Sequence, residues 1–198
     1  SSICCSAVIG IPAARRPIWQ GLARAAHAVT FFIKEKYRAE LEGGVTLIRQ
    51  RRLLPDKTEI FQDFDVLSYW SSLSARHFDQ VWLAIPSTAV RQLPFAAMQA
   101  PLRDPTLVML QPSAAAYPLL TERWPAEQIV SGMITLISYY HPIPGQAALP
   151  DARPLCVAWY LPPALMRMPL SGSGARLVAC LLLFRQAGFP AKAVADAV

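Results

Sequence analysis

Charge is scarce in this 198-residue chain: Asp, Glu, Lys and Arg together make up 16% of it, against 54% apolar residues. That balance excludes a disordered chain, which needs low hydrophobicity and high charge. Cysteine is also scarce, and Cys4, Cys5, Cys156 and Cys180 form no C-x-x-C pair. They read as reduced core residues, and His27, His77 and His141 lie too far apart in sequence to complete a metal set with them, so no metal is expected. The longest apolar helical stretch, residues 177–184, is far short of the ~20 residues that cross a bilayer. The N-terminus also lacks the basic segment of a secretory signal. No membrane partner and a cytoplasmic location are therefore expected.

The net charge of +6 raises the question of nucleic acid. The basic residues are scattered, and the densest group, Arg49, Arg51 and Arg52 with Lys57 nearby, has no interleaved aromatics. No nucleic-acid partner is expected from that arrangement. A positive field of this kind instead favours encounters with small anionic ligands. The apolar surplus points to a surface covered by a further domain or a second copy, so a homodimer is one expectation.

What the chain does have is an ordered opening. Residues 3–9 read as a buried strand, Gly10, Ile11, Pro12, Ala13, Ala14 and Arg15 as a turn, residues 16–26 as a helix and 29–33 as a second strand. A βαβ unit of this kind places a dinucleotide's pyrophosphate on the turn and the helix N-terminus. Of the G-x-G-x-x-G fingerprint only Gly10 remains, with Pro12 and Arg15 at the second and third glycine positions. Pro12 removes one N–H donor but suits a first helical turn. Arg15 either blocks the pyrophosphate or pairs with it through its guanidinium fork. Lys34, followed by Lys36 and Arg38, stands where a base would hold a 2′-phosphate, which favours NADP (NADPH) over NAD as cofactor.

Beyond this opening, residues 36–42 read as a short helix closed by Gly43 and Gly44, and 45–48 as a third strand. Residues 51–70 are ambiguous, with one or two strands within 60–67, and 71–77 read as a helical turn. Residues 80–85 form a strand, Pro86 and Ser87 a helix N-cap, and the helix continues to about 99. A further strand at 107–110, a turn at Gln111, Pro112 and Ser113, a helix at 114–123 and a strand at 129–137 complete the pattern. Repeated strand and helix units imply an α/β fold with a Rossmann-like, doubly wound and mostly parallel sheet over residues 1–145. Pro142, Pro144, Gly145 and Pro150 then punctuate a connector. A strand at 155–160 and a helix at 175–187, opened by Ser171-Gly172-Ser173-Gly174 and ended by Gly188, make 146–198 the connector and the start of a second, helical domain.

In open α/β sheets ligands sit at the carboxyl ends of the strands. Ile85, Pro86, Ser87, Gln111 and Pro112 therefore join Gly10 to Arg15 and Lys34 as candidate cofactor-binding residues, although Ser87 already has a structural use as an N-cap. Ser113 has no histidine or acid placed to activate it. Tyr139, Tyr140 and His141 either line a substrate pocket or pack at a domain boundary. No catalytic residue is identified.

Several blocks together resemble the ketopantoate reductase (2-dehydropantoate 2-reductase) family. These are Gly21-Leu22-Ala23-Arg24-Ala25-Ala26-His27-Ala28-Val29-Thr30, Phe78-Asp79-Gln80-Val81-Trp82-Leu83-Ala84-Ile85 and Val108-Met109-Leu110-Gln111, with Gly132 and Pro144-Gly145. The resemblance implies an NADPH-dependent oxidoreductase that reduces a small 2-keto acid, with a helical C-terminal domain carrying a proton-donating lysine and its carboxylate partner. Departures are specific. Ala26 stands where the family has a glycine before the histidine, Pro86 where it has a lysine, and Pro112 and Ser113 where it has asparagine then glycine. They support an alternative, a noncatalytic Rossmann-like protein that serves as a binding or dimerisation module. A third reading is an opine-type dehydrogenase, which Gly10-Ile11-Pro12-Ala13-Ala14 and Gln111-Pro112-Ser113 resemble through their prolines.

Overall fold

The apolar run at the start of the chain forms β1 (Cys5–Ile9), which leads to α1 (Arg16–Arg24) and β2 (Ala28–Phe32). β1 and β2 pair in parallel from Cys5 opposite Ala28 to Ile9 opposite Phe32. The structure, a computed structural model, describes residues 4–10, 16–110, 116–162 and 167–195. Along the chain follow α2 (Arg38–Leu41), β3 (Val45–Arg49), β4 (Lys57–Phe61), β5 (Asp65–Leu67) and β6 (Gln80–Leu83). Then come α3 (Ser87–Val90), α4 (Phe95–Gln99), β7 (Thr106–Leu110), α5 (Tyr117–Thr121) and β8 (Ile129–Gly132). The last elements are β9 (Ile137–Tyr140), β10 (Cys156–Tyr160), β11 (Met168–Ser171), α6 (Gly174–Gln186) and β12 (Ala191–Ala193).

Eight strands form the main sheet in the order β12-β11-β8-β7-β6-β1-β2-β5. Its pairs are parallel except β11 with β8. The fold is thus α/β and Rossmann-like, and strand order reverses between β1 and β6, the point where such sheets bind ligands. A smaller sheet, β4-β3-β10-β9, is parallel only at β3 and β10. It shares a core with one face of the main sheet and with α1 and α6, where Leu47, Phe61 and Val157 are buried with Val8, Phe31 and Trp82. Phe31 meets Phe64 edge-on at 4.9 Å, and Trp19 meets Trp82 edge-on at 4.8 Å. Full burial of a side chain such as Phe31 contributes about 1.5–3 kcal/mol. The other face is covered by α3, α4 and α5 through Val90, Phe95, Met98 and Leu120.

Some expectations need correcting. The strand at 45–48 exists as β3, but it belongs to the smaller sheet, and β5 takes the third position beside β2. Alternation of apolar residues reports which face is buried, not which sheet the strand joins. The single helix expected from Ser87 to 99 is two short ones. Pro94 lacks the N–H a continuous helix needs and restricts Leu93, so the first helix ends before them. Pro86, not Ser87, is the N-cap. The single strand expected at 129–137 divides between the sheets: β8 ends at Gly132, and β9 joins β10. A Cβ on Gly132 would collide with Leu170 and lie 2.9 Å from the Pro169 carbonyl, so the close approach of β11 requires glycine at that turning point. Residues 146–198, set apart by composition, place β10 in the smaller sheet and β11 and β12 at the edge of the main one.

Both longer helices end the same way. At the end of α1, His27 N–H donates to Leu22 O (3.1 Å) and Ala26 N–H to Ala23 O (3.0 Å). At the end of α6, Phe189 N–H donates to Phe184 O (2.8 Å) and Gly188 N–H to Arg185 O (3.1 Å). These are the paired bonds of a Schellman cap, whose turning residue is left-handed. Gly188 takes that position at φ +82°, and Ala26 takes it at φ +62° in spite of its Cβ. His27, buried behind this turn, accepts from Cys4 N–H at Nδ1 (3.1 Å). Its Nε2 lies 2.8 Å from Gln186 Oε1 and so is the nitrogen that donates. The imidazole thereby ties the residue just before β1 to α6.

Candidate functional site

At the strand-order reversal, Gly10 follows β1 at φ +91° and donates its N–H to Phe32 O at 3.0 Å. A Cβ there would sit 2.5 Å from Ile85 Cγ2 and 2.9 Å from Ala84 O. Backbone geometry and crowding both demand glycine, so the first glycine of the fingerprint is kept for a physical reason. The nine-residue α1 begins at Arg16.

A cleft of about 630 Å³ opens here, lined by Gly10, Arg16, Phe32, Lys34, Ser68 and Trp70 among others. Its volume is in the range of small-molecule and cofactor sites. Trp70 stacks on Phe32 with ring centres 3.9 Å apart, giving the cleft an aromatic wall. Ser68 is among its lining residues, with its hydroxyl buried and without a hydrogen-bond partner among the described residues. Lys34, exposed at the end of β2, brings a positive charge to the rim.

Arg16 is 2% exposed, and its guanidinium lies 5.7 Å from the centre of the Tyr140 ring. Burial pushes it down to about 10, partly offset by Tyr140 and Glu40, so it stays cationic at neutral pH. Tyr140 reaches the cleft from β9 of the smaller sheet. Sequence reasoning left Tyr140 open between pocket lining and packing, and it lines the cleft. Arg16 was read only as the start of a helix. Its position directly after the six-residue turn was the signal available. Phe32, Ser68 and Trp70 carried none, because it takes the pairing of β2 with β5 to bring them to one place.

Of the expected cofactor-binding residues, Gly10, Lys34 and Ile85 come together as lining residues of the cleft. Pro86 and Ser87 are not among its described lining residues. Ile11, Pro12, Ala13, Ala14, Arg15, Gln111 and Pro112 lie outside the described residues. Among the described residues there is no cluster of histidine, cysteine and acidic side chains able to hold a metal. None of the described helices is long and apolar enough to cross a membrane.

A dinucleotide fits what is present. The glycine cradle admits no Cβ, α1 brings the positive end of its dipole to the cleft at Arg16, two cations face the cleft, and the Ser68 hydroxyl has bonding capacity to spare.

No protein-family model matches the sequence, and neither does any curated protein. Solved structures do match. The 2-dehydropantoate 2-reductase from Geobacter metallireducens GS-15 superposes with a TM-score of 0.69 at 18% identity, over 97% of this chain and 58% of that one. The PanE/ApbA family ketopantoate reductase from Ralstonia eutropha JMP134 gives 0.67 at 16%, over 97% and 57%. Yersinopine dehydrogenase, solved with NADP+ bound, gives 0.64 at 11%, over 98% and 48%. The chain thus spans a little over half the length of the reductases it matches. Its structural neighbours are consistently ketopantoate reductases and related dehydrogenases, and the fold it shares with them is the Rossmann-like fold of the ketopantoate reductase structures.

Proposed function

We propose that this chain is the dinucleotide-binding part of an NADPH-dependent oxidoreductase that reduces a small 2-keto acid. The observation that carries the reading is one cleft, at the strand-order reversal, lined together by Gly10, Arg16, Lys34 and Ser68. When bound, NADPH supplies a hydride to the substrate carbonyl. The chain's own residues bind and orient. Gly10 lets the backbone approach the pyrophosphate, and the N-terminus of α1 with the buried Arg16 charge neutralises it. Lys34 takes the 2′-phosphate that distinguishes NADPH from NADH. Ser68 donates to a ribose hydroxyl or phosphate oxygen, and Phe32 and Trp70 form an apolar wall that excludes water from the bound base. The turn residues Ile11 to Arg15, with Ile85, Pro86, Ser87, Gln111 and Pro112, complete the proposed contacts. The resemblance to ketopantoate reductases assigns protonation of the substrate oxygen to a lysine of the helical C-terminal domain.

A second reading, a noncatalytic binding module, is favoured by Pro12 and Arg15 at the lost glycine positions. Isothermal titration with NADPH and with NADH decides between them. Micromolar binding that prefers NADPH supports the oxidoreductase, and absence of saturation with either supports the module. Sedimentation tests the homodimer, and a purely monomeric profile removes it.

A further inference from the structure

A second cavity, of about 220 Å³, lies between α1, the smaller sheet and the end of α6, and it shares none of its described lining residues with the dinucleotide cleft. That space leaves room for a small metabolite. The lining is unusually polar for a space beside the core. Gln20 of α1 is 7% exposed, yet its amide makes no hydrogen bond to the described residues. Its amide atoms reach the cavity, so water satisfies them when the cavity is empty and a ligand that enters can take over those bonds.

Around Gln20 stand three cations, Arg24, Arg49 and Lys57, against one carboxylate, Glu59. Arg24 pairs with Glu59, and Lys57 Nζ lies 2.8 Å from the same oxygen. Burial alone would raise the Glu59 carboxyl, but hydrogen bonds and charge from Lys57 and Arg24 more than offset it and hold it below its ordinary value. Glu59 is therefore ionised at neutral pH and occupied by two cations. Arg49 is left over, held 5.2 Å from the centre of the buried Trp159 ring. Stacking of this kind orients a guanidinium while leaving its donors free for a planar anion. The carbonyl ends of α1 and α6 add partial negative charge, which the excess of two full cations outweighs.

We infer that this cavity is a binding site for a small organic anion, a carboxylate or phosphate held by the Arg49 guanidinium and by the ammonium donors that Lys57 does not use on Glu59, with its remaining polar atom on the Gln20 amide. The site is separate from the proposed cofactor cleft and does not depend on it. Both rest on α1, which carries Arg16 at its first residue and Gln20 and Arg24 in its later turns.

Isothermal titration of the chain with citrate and, separately, with inorganic phosphate at low salt tests the inference. One equivalent should bind in a saturable way, and whichever of the two binds more tightly identifies the class. Gln20→Leu and Arg49→Ala should each weaken binding at least tenfold, whereas Arg91→Ala and Lys34→Ala should leave it unchanged. Arg49 is exposed, so its variant remains informative even if Gln20→Leu disturbs folding, which circular dichroism would reveal. Dissociation constants weaker than about 10 mM for both anions, or binding indifferent to Gln20 and Arg49, would overturn the inference. Loss of binding in Lys34→Ala would do so too, by placing the anion in the other cleft.

Discussion

Two helices with the same cap and different turning residues provide a built-in experiment. Ala26 and Gly188 occupy equivalent left-handed positions at φ +62° and +82°. A Cβ on Gly188 would meet nothing within 4 Å, and Ala26 is exposed, so neither substitution changes packing. Only backbone preference remains. An L-residue with a Cβ pays about 1–2 kcal/mol for the left-handed region. Against this, alanine restricts the unfolded chain and regains about 0.4–1 kcal/mol relative to glycine. The net expectation is that Ala26→Gly stabilises by about 0.5–1 kcal/mol and Gly188→Ala destabilises by a similar amount. For a chain of this size each corresponds to a shift of about 1–4 °C in Tm. Urea titration of both variants and the double variant, in which the effects should nearly cancel, reads this out. Shifts of the same sign, or a destabilised Ala26→Gly, would refute the reasoning.

Gly21→Ala should behave against helix propensity. Alanine gains about 1 kcal/mol in a helix interior, but the new Cβ would collide with the Ala187 carbonyl and lie 3.0 Å from the Ala187 Cβ. Forcing α1 from the end of α6 costs about 1–3 kcal/mol, so a lowered Tm is expected, and a raised one would show that the two helices separate freely. Lys34→Ala should weaken NADPH by about tenfold or more, the worth of a charge-assisted hydrogen bond, and leave NADH unchanged; equal losses for both would remove Lys34 from the 2′-phosphate. Arg16→Met keeps volume but removes charge, so titration should show both dinucleotides weakened together. The thiols give a pH test. Burial pushes Cys4 and Cys180 up to about 12 from an ordinary value of 9.0. The folded state holds them neutral while the unfolded state ionises, so their contribution to stability is complete below pH 9 and is lost as pH rises from there toward 12. Cys180→Ala should flatten that alkaline decline in urea titrations, and an unaltered decline would assign it to other groups.

Local signals in the sequence located β1, α1, β2, β6 and β7, because each is a short buried run bounded by turn residues. Partnership was not legible. β3 and β5 both read as strands near the expected third position, and only long-range pairing decides that β5 lies beside β2. β11 was missed because Pro169 argues against a strand, and β12 because three residues give no period. The site divides in the same way. Gly10 and Lys34 are visible from their places in the βαβ unit, whereas Ser68, Trp70 and Tyr140 come from three later segments that nothing local connects. Ala26 shows the opposite case, a position where the family resemblance calls for glycine and the left-handed backbone explains why.

The two sheets are interleaved along the chain, which sets how the molecule can be made. β3 finds its parallel partner in β10, with Thr46 opposite Cys156, and β9 also depends on β10. During synthesis at about 5–20 residues per second, the β3–β4 hairpin waits on the order of 5–20 s for that partner to emerge. Until then the apolar side of the hairpin, with Leu47 and Phe61, has only an unfinished main sheet to shelter it. Such distant pairing slows folding and leaves an open strand edge along the way. Crowded or heat-stressed cells should therefore lose newly made copies of this chain sooner than finished ones, with chaperone demand set by the arrival of β10.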